Sequence, residues 1–214
     1  MISLILPQKE KNMIIKDKAL AIRYVAITAM LGALSFVLQL FEFPLPFLIP
    51  SFIEFDFSDL PALIASFSMG PVSGVTVALI KNVLHLTMTT TGGVGELANF
   101  LLTASFVGTA GIIYHFKKNR AGALIGSLTG ALIMSVVSVP VNLLITYPIY
   151  YNFMPEEAIL AAYQAIFPFV SSIYTCLWFF NAPFNLFKGL VVTLITFLIY
   201  KHISPLIKGK KTKK

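Results

Sequence analysis

The chain has 214 residues, 57% of them hydrophobic and 12% charged, with a mean hydropathy of +0.84 and a formal net charge of +7. A soluble domain of this size carries about a quarter charged residues, so composition excludes one and points to an integral membrane protein. The apolar runs are long and continuous, which reads as membrane helices, and the single cysteine, Cys176, excludes an internal disulfide.

The opening stretch MISLILPQKEKNMIIKDK places its lysines after its apolar patch, the wrong order for a cleavable signal peptide. Residues 1–18 read as a cytoplasmic segment. A hydrocarbon core about 30 Å thick needs roughly 20 helical residues, and Ala19 to Leu40 supplies the first span. Within it Ala29 and Ala33 stand four apart with Gly32 between them, a small-residue face that lets another helix approach closely. Residues 41–57 follow as an extracellular loop. The stretch from Phe43 to Pro61 holds four prolines, five phenylalanines and the acids Glu54, Asp56 and Asp59, which rules out a helix through it. Its prolines stiffen it, its phenylalanines can close over an apolar ligand, and its acids are expected to keep it wet. Phe52 to Phe57 alternates apolar and acidic residues, consistent with a short extended piece facing inward. Phe55 and Asp56 in that piece are assigned to the ligand.

Phe57 to Met69 and Pro71 to Thr87 are the second and third spans, divided by the turn signal MGPVSG. Glu96 to Phe116 is the fourth, Ala121 to Tyr147 the fifth with a kink expected at Pro140, and Phe169 to Tyr200 an overlong sixth. Residues 202–214 form a basic tail. The expectation is one domain, 1–214: an all-α, six-helix membrane bundle. Lysines and arginines cluster before span one, between spans four and five and after span six, which puts both termini in the cytoplasm. The basic charge is thus topology plus attraction to anionic lipid, and needs no nucleic acid.

Two of sixteen basic residues break this pattern, Lys81 in span three and Lys188 in span six. A charge at a helix centre costs about 2.5–3.5 kcal/mol on insertion scales and usually faces a cavity. Asn181, Asn185 and Lys188 follow at i, i+4 and i+7 on one face, and Glu96 and Asn99 share a face at the start of span four. With Asn142 in span five they offer amides, a cation and an anion among apolar walls, the composition of a pocket for a flat organic molecule with polar edges. For any one asparagine the plainer role is helix-to-helix adhesion.

Motifs for chemistry are missing. The chain has no phosphate-binding G-x-x-x-x-G-K-[ST], Ser73 in GPVSG lacks a placed histidine, and His85, His115 and His202 fall on separate segments with no metal-site spacing. No catalytic, metal or cofactor residues are expected. A solute binder without an ATPase of its own must draw energy from a partner.

On these residues the chain resembles the substrate-binding S components of energy-coupling factor (ECF) vitamin transporters. The resemblance is carried by Ala29 and Ala33, by FSDLPALIASFSMGPVSGVTVALIKNVLHL (Phe57 to Leu86), by TTGGVGELANFLLTASFVGTAGIIYH (Thr90 to His115) and by FNLFKG (Phe184 to Gly189). It is strongest to the riboflavin-specific members. It implies a six-helix bundle that captures riboflavin as transported substrate, with a transmembrane coupling (T) protein and two cytoplasmic ATPases as partners. It also implies docking through Ala29, Gly32 and Ala33, gating by the first extracellular loop, and toppling of the bundle in the membrane. Toppling suits a chain with few buried ionisable groups. Biotin and folate remain open as alternative vitamins because their carboxylates suit Lys188, whereas cationic thiamine does not. A structural subunit without a ligand is a further alternative, as is an intramembrane transferase. The transferase would need clustered aspartates for metal and phosphate, usually on the cytoplasmic side, and the only close aspartate pair, Asp56 and Asp59, is outside.

Overall fold

The computed structural model describes residues 8–208, with side-chain surroundings described for 18–199. Of the flanking segments, residues 1–7 and the tail from 209 onward lie outside the described residues. Helix α1 (Gln8–Gln39) starts well before the first span, because KEKNMIIKDK contains no proline or glycine to stop it. Residues 40–58 are irregular apart from two short strands. β1 (Phe43–Pro44) and β2 (Glu54–Phe55) pair antiparallel, Phe43 opposite Phe55, so of the alternating piece Glu54 and Phe55 form a strand while Phe52 and Ile53 turn into it.

Helices α2 (Asp59–Met69) and α3 (Pro71–His85) meet at Gly70, whose φ of 109° suits only glycine, and Pro71 opens α3 where its missing N–H costs nothing. α4 (Val94–Phe116) and α5 (Arg120–Val141) follow, the latter capped by the Asn119 side chain, which accepts from the Gly122 N–H at 2.8 Å. The chain passes Pro140 as helix and then widens into a π-turn over Asn142–Thr146, closed by Tyr147 N–H donating to the Asn142 carbonyl. α6 (Tyr147–Tyr150) and α7 (Glu156–Gln164) lead to α8 (Ile173–Cys176), a second π-turn over Leu177–Asn181 and α9 (Ala182–Lys208).

Among the described residues, five helical stretches are long and apolar enough to cross a membrane: Lys18–Gln39, Pro71–Met88, Val94–Phe116, Arg120–Tyr150 and Ile173–Ile199. The expected second span is the 11-residue α2, about 16 Å long, which does not bridge a bilayer core alone. It lies at the centre instead: residues Asp59 to Phe67 are all buried, packed by α1, α3, α4 and α9.

Two apolar clusters fill the bundle. One, in the helix-packed body, joins Leu63, Phe67, Val77, Phe106, Met134 and Val192. The other, at the end of the bundle that carries residues 41–57, joins Ile49, Phe55, Tyr147, Tyr163, Phe180 and Phe184. Close helix approach depends on small residues. A Cβ at Gly130 of α5 would lie 2.5 Å from the Phe106 carbonyl oxygen of α4. Gly32 of α1 is used in the same way, because a Cβ there would lie 2.7 Å from Ile80 of α3. Gly32 is therefore buried inside the bundle and is not on the outward face with Ala29 and Ala33, which are exposed. The expected docking triplet divides between two faces.

Gly130→Val should destabilise the bundle by about 1–3 kcal/mol through forced separation of α4 and α5. Thermal melting in detergent checks this, and an unchanged midpoint would show that the two helices can move apart freely.

Candidate functional site

At the end of the bundle covered by residues 41–57 lies a cavity of about 190 Å³. Its walls come from the end of α1, the loop, α3, α4, the first π-turn and α9. Asp56, Glu96, Asn99, Asn142, Asn181, Asn185 and Lys188 all line it. Phe55 does not. Its ring is buried in an aromatic cluster, 5.2 Å from Phe57, 6.3 Å from Phe184 and 6.0 Å from Phe187 between centroids, so it anchors the loop to α9 from behind.

The loop acids are not wet. Asp56 is 2% exposed and Asp59 1%, because each meets a lysine. Lys188 Nζ donates to Asp56 Oδ2 at 2.8 Å and stands 3.7 Å from Asp59 Oδ2. Lys81 Nζ, fully buried, donates to Asp59 Oδ1 at 2.6 Å and to Ser58 Oγ at 2.5 Å. Asp56 also accepts the Ser58 N–H at 2.7 Å, Thr103 Oγ1 donates to Asp59 at 2.8 Å, and Ser35 Oγ of α1 donates to the Ser58 carbonyl. Burial alone would raise the Asp56 carboxyl, but Lys188 and Lys81 outweigh it and hold the group well below the ordinary carboxylate range. The expectation of few buried ionisable groups is therefore corrected. Two cations and two anions are buried as a neutral quartet, tying the loop to α2, α3 and α9.

The asparagines divide by task. Asn181 donates to the Tyr163 hydroxyl at 2.8 Å, and Tyr163 and Tyr147 hydroxyls are 2.7 Å apart, so Asn181 links α9's approach to α6 and α7. Asn142 and Asn185 each donate to a carbonyl of their own helix, Ser138 and Asn181, both at 2.8 Å. Asn99 accepts from Thr103 at 3.2 Å, which places it one step from Asp59.

The opposite wall is acidic. Glu96 Oε1 is 2.9 Å from His85 Nδ1, and its Oε2 accepts from Thr89 at 2.9 Å and Thr91 at 3.3 Å. The other ring nitrogen of His85 faces Glu42 Oε1 at 3.7 Å. Glu42 lies in the turn after α1. Burial, and then the neighbouring Glu54 carboxyl, push it up to about 7. Sequence reading missed His85, Glu42 and two more lining residues, Gln39 and Thr146. Gln39 Oε1 and Thr146 Oγ1 are buried atoms without a hydrogen-bond partner in the protein, so the cavity wall carries unmet polar valence. The only early signal for them was position, each sitting at a helix end near the loop.

With this geometry in hand, the relatives are informative. Residues 23–200 match the family described as the ECF transporter, substrate-specific component. The chain belongs to that family. It is 36% identical over 84% of its length to riboflavin transporter RibU of Staphylococcus aureus (strain TCH60), covering 89% of that protein. It is 29% identical over 89% of its length to riboflavin transporter FmnP of Bacillus subtilis (strain 168), covering 97%. A solved structure of the S component of a bacterial ECF transporter superposes with a TM-score of 0.68 at 32% identity, over 87% of this chain and 98% of that one. The chain thus shares its fold with a solved S component over most of its length.

Two tests follow from the charges. Lys81→Met leaves Asp59 short of its nearer cation and should cost about 3–5 kcal/mol. Adding Asp59→Asn should recover part of that loss in the same detergent melt, and simple additivity would mean the pair is not coupled. For Glu42 the folded-state value lies above the ordinary 4.5, so folding takes up a proton. Its contribution is most favourable below 4.5 and is lost as pH climbs through about 7. Glu42→Gln should therefore raise the melting temperature at mildly alkaline pH more than at acid pH.

Proposed function

We propose that the chain is the riboflavin-capturing membrane subunit of an ECF-type transporter, a binding and transport subunit rather than an enzyme. The observation that carries this is the roofed cavity at the loop end, where amides, one lysine and unmet polar atoms converge among apolar walls. Its character fits a neutral, flat ligand with a polar rim. Each of Asn142 and Asn185 spends one side-chain N–H on its own helix, and we assign the amide oxygen of one to the ring imide N–H and the remaining amide N–H of the other to a flanking ring carbonyl. Lys188 faces a ring carbonyl while keeping its bond to Asp56. Gln39, Thr146, Glu96 and Asn99 take the ribityl hydroxyls.

The same charges weigh against the rivals. Biotin and folate would bring a carboxylate to Lys188, but Asp56 and Asp59 already neutralise it and Glu42, Glu54 and Glu96 line the same cavity. Asp56 and Asp59, the acid pair a transferase would need, are each bound to a lysine.

The remaining roles rest on family membership. Both termini face the cytoplasm, residues 41–57 gate the cavity from outside, and a T protein with two ATPases supplies energy. Ala29 and Ala33 present the exposed small-residue stripe on α1 for docking to the coupling protein, with Gly32 serving the bundle interior.

Purified protein should release a stoichiometric flavin on denaturation, and emptied protein should quench riboflavin fluorescence on titration. Asn185→Ala and Lys188→Ala should each weaken binding by about tenfold or more. Release of another vitamin, or no response to riboflavin, would overturn the specificity.

A further inference from the structure

The end of the bundle away from residues 41–57 holds two adjoining hollows that ligand capture does not use. One, of about 360 Å³, is walled by Phe67 of α2, Tyr114 of α4, Asn119 and Arg120 at the start of α5, and Thr196 and Phe197 of α9. The other, of about 670 Å³, is a groove between α5 and α9, with Leu124 and Leu128 on one side and Leu190 and Leu194 on the other. Arg120 and Phe197 line both, so the two hollows meet at a guanidinium.

Their chemistry differs. The first is rich in hydrogen-bond donors with nothing to donate to. Thr196 is 1% exposed, and its Oγ1 has no hydrogen-bond partner in the protein. A buried hydroxyl left in that state costs stability unless something outside the chain meets it. Among the described residues, neither the Tyr114 hydroxyl nor the Arg120 guanidinium has a polar partner. Asn119 spends its amide oxygen on the Gly122 N–H, which leaves its own side-chain N–H groups unused within the chain. No carboxylate is among the described lining residues of either hollow. Lys117 and Lys118 adjoin in the turn, and the N-terminus of α5 adds a positive partial charge. The groove is the reverse, since its four leucines are exposed and carry no polar atom beyond the backbone. Arg120, Leu124 and Leu128 recur every four residues, so the apolar track leaves the guanidinium along one face of α5 for about 12 Å.

An anion made only of acceptors, joined to a hydrocarbon tail, satisfies both halves at once. We propose that this is a binding site for one anionic phospholipid, its phosphate held by Arg120, Tyr114 and Thr196 and an acyl chain laid along the α5–α9 groove. A guanidinium fork matches two phosphate oxygens, and the two hydroxyls supply the neutral donors. Diffuse attraction of a basic surface for anionic lipid is worth about fivefold in affinity per lysine or arginine and does not distinguish one from another. A built site does, because only Arg120 stands where the polar hollow opens into the apolar groove. The site is separate from the cavity at the loop end and does not depend on what that cavity binds.

The test uses the full chain, purified in detergent and stripped of lipid. It is given phosphatidylglycerol, phosphatidylcholine or inorganic phosphate, bound lipid is counted by native mass spectrometry, and thermal melting is followed in parallel. One phosphatidylglycerol should be retained per chain, about tenfold more tightly than phosphatidylcholine, and should raise the melting temperature. Inorganic phosphate, having no tail, should raise it far less. Arg120→Gln should weaken phosphatidylglycerol retention by about tenfold or more, whereas Lys118→Gln should change it by about fivefold at most. Thr196→Val keeps the shape of the side chain and removes the hydroxyl. It should raise the melting temperature of the lipid-free protein, because an unmet buried group is gone, and still weaken phosphatidylglycerol retention by about fivefold. Equal retention of the two lipids, equal losses from Arg120→Gln and Lys118→Gln, or unchanged retention by Thr196→Val would reduce the site to a diffuse basic surface and overturn it. A full effect from inorganic phosphate alone would make it a free-anion site and overturn the lipid assignment.

Discussion

A charge in a low-dielectric interior must be neutralised where it stands, and that constraint organises this bundle. Lys81 and Lys188 come from different helices, Asp56 from the loop and Asp59 from the start of α2. None of the four could be buried without the others, since the desolvation of an unpaired ion costs several kcal/mol. Their meeting therefore specifies how α3, α9 and α2 pack and where the loop re-enters the bundle. The apolar clusters on either side supply most of the adhesion, but apolar surfaces slide over one another more readily than ion pairs exchange partners.

The quartet also joins two jobs in one lysine. Lys188 lines the cavity, yet its ammonium is held by Asp56 from the loop. Cavity floor and cavity roof thus share an atom-to-atom contact. The opposite rim repeats the arrangement with a histidine between carboxylates. The quartet fastens the loop, and Phe55 wedges it against α9.

Much of this was legible in the residues. Hydropathy located five of the long helices, the i, i+4, i+7 spacing gathered Asn181, Asn185 and Lys188, and alternation marked the extended piece at Glu54–Phe55. What escaped was long-range partnership. Asp56 and Asp59 read as solvated loop acids because nothing nearby in sequence could pair with them, and Lys188 lies 132 positions from Asp56. His85 looked solitary for the same reason, since its carboxylates come from the ends of two other elements. Phe55 was placed against the ligand by its period-two position, but a period assigns a face of the strand and not what lies behind it. The shortness of α2 was visible, but its burial on all sides was not.

The two π-turns have a consequence for how such a chain tolerates change in length. Each residue in an α-helix turns the chain by about 100°, so an inserted residue would swing everything beyond it onto a new face. A π-turn absorbs one extra residue locally and returns the helix to its former register. Asn142 opens one such insertion and Asn181 closes the other. Deleting one residue from either turn would restore regular winding at the expense of rotating one half of the span against the other. These helices carry their cavity residues as surplus length, and the surplus is what lets a lining change without rewriting the surface that meets the bilayer.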